Sequence, residues 1–341
     1  MTVNESLKGK NLRVPDMDRS MAWHARTVHQ EALEQWKGRP LTREEERELD
    51  RMHGMTDEEV MRQNRQERYF TVLNAYRRGD CIGQPWEGAG IGPLGLTYDR
   101  ITSRKGSTSD ETDIVECFVK FTGAYRFTDV DQLLLDWCEF HYRNYKVTGY
   151  GRSYSDHFRL MKWLDRKGET RLDTIRSVAR DRNSFGNGCL ALVYPVHCYA
   201  KDNGLPAWDL VEAFTRLVYA HPVALAAVRL LNDLIETAEG GGDPFDVESG
   251  DPYVRQFLGH GITLPVEEFI RTYPDSAVAL HALFHALYGA HGAASEEEVI
   301  VKTVNLGGDA DSELATAMLI WTLKDMRLQD QAVAHGEGDK P

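Results

Sequence analysis

Residues 305–321 read NLGGDADSELATAMLIW: two aspartates, Asp309 and Asp311, and the hydroxyl of Ser312 follow a glycine pair and lead into an apolar stretch. Aspartates two positions apart point in different directions on a helix, so they converge only if the chain turns there. Gly307 and Gly308 permit the turn, because glycine enters backbone regions closed to other residues. One reading is a helix start, where Asp and Ser cap free N–H groups and carboxylates offset the dipole. The other is a hard-cation site, since Mg2+ and Ca2+ take carboxylate and hydroxyl oxygens. A second cluster weighs toward the cation. The stretch STSDETDIVECFVKF, residues 107–121, places Ser109, Asp110 and Glu111 in a row before Thr112 and another apolar helix. Each cluster alone reads as a cap. Together they hold four carboxylates and two hydroxyls, too much like charge to converge without cations and suitable ligands for a pair of Mg2+ ions, with Mn2+ able to substitute.

The elements that must position these groups are helical. Met21, Ala25, Val28, Ala32 and Trp36 share one face. Thr42 with Glu45, and Thr56 with Glu59, have capping-box spacing, and Met55 with Val60 form a hydrophobic staple. The helix after Thr56 is expected to run to about Arg78 and to stop at Gly79. Further helices are expected over 112–121, 129–144, 156–166, 171–180, 189–200, 208–219, 223–238, 265–272, 275–290, 296–304 and 312–328. Residues 239–252 read as a loop, and no stretch alternates with period two, so no sheet is expected. The reading is an all-α globule with its functional groups on loops. Residues 1–65 are expected to form an N-terminal extension that begins with a polar arm, and residues 329–341 a tail.

Bulk properties exclude some classes. The 341-residue chain is 42% hydrophobic and 27% charged, with length for a sizeable core. Its net charge of -13 argues against a general nucleic-acid or anionic-membrane binder, which needs a positive field. Five cysteines without a CxxC pair read as buried thiols in a reducing compartment. With no apolar run near 18 residues and no signal-peptide pattern, the expected localisation is cytoplasmic.

Several motifs, in order, resemble those of the ADP-ribosylglycohydrolase family, the (ADP-ribosyl)hydrolases related to dinitrogenase reductase-activating glycohydrolase. RGDCIGQPWEG at 78–88 resembles its Gly-Asp-x-x-Gly and Glu signature, and SDET at 109–112 its Thr/Ser-Asp-Asp-Thr motif. GYGRSYS at 149–155, SFGNGCLALVYP at 184–195, YAHPVALAA at 219–227 and VNLGGDADS at 304–312 resemble its Gly-Tyr-Gly, Gly-Asn-Gly, Thr-His-Pro and Gly-Gly-Asp-x-Asp segments. The resemblance runs from about residue 66 to 328. It implies an all-α fold with a binuclear Mg2+ site and carries metal-ligand roles onto Ser109, Asp110, Glu111, Asp309, Asp311 and Ser312. It implies that loops Gly149-Tyr150-Gly151 and Gly186-Asn187-Gly188 face ADP-ribose, and that Glu87 contacts a metal or acts as acid/base. The chain departs from the pattern at Glu111, where Asp is usual, and at Leu192, where Arg is common. The first 65 residues have no family counterpart.

Other residues have structural readings. Asp80 reads as a brace for the 79–83 turn, Trp86 as a core residue or an adenine platform, and His221 as a hydrogen-bonding histidine. His281 and His285 have HxxxH spacing but lie in an apolar run, which favours packing. The expected activity is hydrolysis of an N-glycosidic bond, releasing ADP-ribose from a modified protein side chain, with arginine the acceptor and Glu87 or Glu111 the acid/base. Two rivals stay open: a hydrolase of serine-linked or O-acetyl-ADP-ribose, and a weakly active binding protein. The apolar payload of Met21, Trp23, Val28, Leu33 and Trp36 suits residues 1–65 to gripping a partner, such as an ADP-ribosyltransferase toxin faced by an immunity protein.

Overall fold

The computed structural model describes residues 57–124, 129–146, 149–168, 171–274 and 276–334. The expected arm, the helix around Trp23 and Trp36, the caps at Thr42 and Thr56, and the end of the tail lie outside the described residues. The chain divides into two compact units, residues 14–71 and the remainder. The first is described from Asp57, as the opening turns of a helix.

That helix, α1, spans Asp57–Gly83, and α2 is a short turn at Tyr98–Thr102. Then come α3 (Asp110–Ala124), α4 (Val130–Asn144), α5 (Arg152–Lys167), α6 (Leu172–Arg182), α7 (Val193–Asp202) and α8 (Ala207–Thr215). The chain continues through α9 (Pro222–Glu239), α10 (Pro252–Gly259), α11 (Val266–Thr272), α12 (Ala279–Ala290), α13 (Glu296–Val304) and α14 (Ala310–Ala334). Among the described residues β structure is limited to two isolated bridges, Ile91 with Gly307 and Gly186 with Val278. The all-α expectation therefore holds. None of the described helices is long and apolar enough to cross a membrane. The five cysteines are unpaired with one another.

Helix α14 is the hub. Leu314, Ala315, Ala317, Met318, Leu319 and Ile320 are all buried, so the helix is apolar around its circumference, as a central helix must be. Helices α9, α12 and α13 pack on it, with α3 at its N-terminal end. Elsewhere local signals set the ends. Asp129 caps α4 through the Gln132 N–H, and Gly168 closes α5 in the left-handed region. Helix α10 was not expected, yet its signal is local: the Asp251 carboxylate accepts from the N–H groups of Tyr253 and Val254, with Pro252 at the first helical position.

One expectation fails for an informative reason. Helix α1 does not stop at Gly79 but continues to Gly83. These glycines, four apart and hence on one face, let the α1 backbone press against the start of α14. A Cβ on Gly79 would lie 2.6 Å from the Leu314 carbonyl oxygen and 2.7 Å from the Ala315 Cα, and one on Gly83 would lie 2.6 Å from the Asp311 Cα. The residues act through close approach rather than through helix termination. Gly83→Ala is therefore expected to cost about 1–3 kcal/mol by overpacking, read by denaturant unfolding. Alanine ordinarily stabilises an exposed helix relative to glycine, so a gain in stability would contradict this contact.

Candidate active site

The α1–α14 contact places Asp80 beside the N-terminus of α3. Asp80 is fully buried. It accepts hydrogen bonds from the Ser109 N–H at 3.0 Å, the Ser109 hydroxyl at 2.7 Å, the Thr112 N–H at 3.2 Å and the Thr112 hydroxyl. Asp80 thus braces the start of α3 rather than its own turn, and supplies a cap from outside the 107–121 stretch. Helix starts leave N–H donors unpaired, and here a carboxylate from another helix satisfies them.

Glu111 joins the two clusters. One oxygen lies 2.5 Å from the Ser109 hydroxyl and the other accepts from the Ser312 hydroxyl at 2.5 Å. The Gly307-Gly308 turn forms as expected, with φ of 74° and 87°. It also pairs with the segment after Glu87: the Gly88 N–H donates to the Gly308 carbonyl at 3.0 Å, and the Gly308 N–H to the Gly90 carbonyl at 2.9 Å. Those bonds bring Glu87 to Asp309.

Carboxylate oxygens of Asp80, Glu111 and Asp311 lie within 4.8 Å of one another, and so do those of Glu87, Asp309 and Asp311. Asp311 belongs to both groups, an arrangement suited to two adjacent cations. Asp110 stands outside these triads but is coupled to the same charges. Its carboxyl is raised by burial and, among its neighbours, by Asp309 and Asp80. Burial first and neighbouring carboxylates second also raise Glu111, and they push Asp311 up to about 11. Glu87, exposed at the rim, is raised by partial desolvation and then by Asp309, Asp110 and Asp80. Such crowding of anions fits a divalent-cation site, and a donor set made only of oxygen selects a hard ion.

The loops expected to face ADP-ribose divide in role. Gly149, at φ 131°, sits where a Cβ would be 3.9 Å from an Asp110 oxygen, so this backbone borders the cluster. Gly151 is exposed beside it and precedes α5. The Tyr150 ring turns inward instead. It is buried, donates its hydroxyl to Asp113 at 2.9 Å and lies 3.0 Å from His141 Nε2. Asn187 donates to the Asp309 carboxylate and to the Ser276 carbonyl, bracing a cluster residue. Gly186 and Gly188 flank it, and a Cβ on Gly188 would lie 2.7 Å from the Tyr219 hydroxyl. Trp86 is buried, with its N–H toward the Ile101 carbonyl and Arg104 over its ring, a core position. His221 caps α9 by accepting from the Val223 N–H.

The sequence reading overlooked the layer beneath Asp309. Ser276 Oγ accepts from the Asp309 N–H at 2.9 Å. Behind it, His285 Nδ1 lies 2.9 Å from Glu313, both fully buried, while His285 Nε2 donates to the Tyr273 carbonyl at 2.7 Å. Burial opposes charge on His285, but Glu313 outweighs it and the imidazole is raised; Glu313 is raised by burial, with His285 opposing. The HxxxH pair therefore splits, since His281 instead faces the Tyr253 hydroxyl at 2.9 Å.

Two outcomes are expected. Raised carboxyls stabilise the fold fully only below their unfolded range, at about 4, and that contribution is lost as pH rises through their folded values. Chelated protein should therefore melt at progressively lower temperature from pH 5 to pH 9, and added Mg2+ should restore more stability at higher pH; a pH-independent Mg2+ effect in thermal melts would contradict the cluster. Glu111→Asp shortens the reach between Ser109 and Ser312 and is expected to weaken Mg2+ binding by about tenfold or more, as changes around metal ligands do. Calorimetric Mg2+ titration of the variant checks it.

The ADP-ribosylglycohydrolase family profile matches residues 61–317. No curated protein matches the chain in sequence. Among solved structures, a chain of an ADP-ribosylglycohydrolase-related protein complex is similar, at 20% identity and a TM-score of 0.52, covering 79% of this chain and 96% of its own. That likeness concerns the fold, whereas the profile match extends over most of the sequence and includes every carboxylate of the cluster. The chain belongs to the ADP-ribosylglycohydrolase family.

Proposed function

We propose that the protein is a Mg2+-dependent (ADP-ribosyl)hydrolase that cleaves the N-glycosidic bond between ADP-ribose and a modified protein side chain, with arginine the acceptor. Family membership supports hydrolysis of an ADP-ribose linkage. The observation that carries the finer reading is the pair of carboxylate triads sharing Asp311. Cleavage of a ribosyl C–N bond passes through an oxocarbenium-like state and needs an acid for the leaving nitrogen and a positioned water. Mg2+ held by Asp80, Glu111, Asp309 and Asp311, with Ser109, Asp110 and Ser312 beside them, would orient the ribose hydroxyls and provide Lewis-acid stabilisation.

Between the two acid/base candidates, the surroundings favour Glu87. Both Glu111 oxygens are engaged by serine hydroxyls in a buried position, whereas Glu87 is exposed and its carboxyl is raised. A raised carboxyl reachable from solvent can exchange protons with water or with the leaving nitrogen. Glu111 then serves to hold the two serines and the cation.

Incubation with arginine-ADP-ribosylated protein and Mg2+ is expected to release free ADP-ribose, and excess EDTA to abolish the release. Serine-linked and O-acetyl-ADP-ribose in the same panel identify the linkage; activity on those alone would replace the arginine assignment. Glu87→Gln should lower kcat by about 10²–10⁴-fold while Mg2+ still binds. Residues 1–65 are proposed to bind a partner, an ADP-ribosyltransferase. Deletion of residues 1–53 is expected to leave hydrolysis intact and to remove binding to that partner; unchanged binding would reject the assignment.

A further inference from the structure

We infer that helices α7 and α9 carry a separate site for a borderline transition-metal cation, of the Zn2+ class, formed by His197, Glu236 and Glu239. Neither the hydrolase reading nor the family assignment requires it. His197 is fully buried on α7. Its Nδ1 lies 3.0 Å from Asn232 Oδ1, and the Asn232 amide group turns the other way, toward Asp233. The oxygen of Asn232 therefore faces the ring, and Nδ1 carries the proton it accepts. Nε2 is then the nitrogen that points out of the core, toward the carboxylates. A metal-binding imidazole is held in the same way, its other nitrogen donating to an oxygen.

Nε2 points between two carboxylates on the last turn of α9, with Glu239 Oε2 at 3.1 Å and Glu236 Oε2 at 3.7 Å. The three ligand atoms lie within 4.8 Å of one another. In the absence of a cation the 3.1 Å contact is a hydrogen bond between His197 and Glu239, and a metal would take the place of its proton. Ligand bonds of about 2.0–2.1 Å around tetrahedral zinc place neighbouring donors roughly 3.3 Å apart, a value that these two contacts bracket. Lys201 engages only the other oxygen of Glu236, at 2.5 Å, leaving Oε2 toward the histidine.

The helix end adds to the case. Glu236 and Glu239 stand at the negative end of the α9 dipole, the last turn of α9 has no basic residue, and Lys201 of α7 sets one positive charge against the two carboxylates. Carboxylates are unfavourable at that end, and a divalent cation between them reverses the sign of the interaction. One nitrogen with two carboxylates suits Zn2+ better than Mg2+, which binds almost wholly through oxygen. Both glutamates are exposed, so water completes the coordination shell and the metal pins the end of α9 to α7.

The test uses the full chain saturated with Mg2+, so that the oxygen cluster is filled, and titrates it with Zn2+ by calorimetry. Wild-type protein is expected to bind one equivalent of Zn2+, with a shift of the His197 Nε2 resonance that Mg2+ does not produce. Glu236→Gln and Glu239→Gln, both on the surface, are each expected to weaken that Zn2+ binding by about tenfold or more. Neither variant should change hydrolysis or the helical spectrum. Absence of Zn2+ binding to the Mg2+-saturated wild type, or equal affinity in wild type and either variant, would overturn the site and leave an ordinary histidine–glutamate ion pair.

Discussion

Backbone against backbone, with no side chain between, is the contact on which the site depends. Gly79 and Gly83 let α1 settle onto the first turns of α14, where a single methyl group would collide with main-chain atoms. The result is not only packing. Asp80 lies between the two glycines in sequence and, carried inward with them, reaches both the N-terminus of α3 and the start of α14. One close approach thus aligns two helix starts, and the positive ends of two helices favour the anionic groups gathered there.

The gathered carboxylates illustrate how function opposes stability. Glu111 and Asp311 are buried among other acids, and the carboxyls rise in response. An apolar or hydrogen-bonded core would be more stable than this. The fold accommodates the strain with hydrogen bonds: four to Asp80, two serine hydroxyls around Glu111, and Asn187 with Ser276 around Asp309. Behind Ser276, His285 and Glu313 pair within the core, so the ionisable groups beneath the cluster balance each other rather than adding to its charge. Glu111 also gives physical sense to a departure from the family pattern. Its longer side chain lets one carboxylate span Ser109, just before α3, and Ser312, in α14.

The similarity to a solved ADP-ribosylglycohydrolase-related structure at 20% identity concerns the fold alone. Substitution is costly where backbone meets backbone or where a carboxylate caps a neighbouring helix, and mild on the exposed periphery. The pair of glutamates at the end of α9 lies on such a periphery, away from the glycines and carboxylates that organise the centre.

Much of this molecule is encoded locally. The helical class, most helix positions and the Gly307-Gly308 turn follow from apolar spacing, capping residues and the conformational freedom of glycine, all properties of neighbours in sequence. The two acidic clusters are likewise visible as residue types at helix starts. Their partners are not. Positions 80, 111 and 311 meet only because helices far apart in the chain pack together, and no periodicity within one helix specifies which residue of another it will face. Gly79 reads locally as a stop and becomes a contact; Tyr150 reads as part of a ligand loop and becomes a buried brace. His285, with no acid near it in sequence, finds Glu313 on α14. In each case the sequence supplied the chemistry of a side chain. Only tertiary packing decided its neighbours, because burial and approach, rather than residue type, set what a polar group must bind.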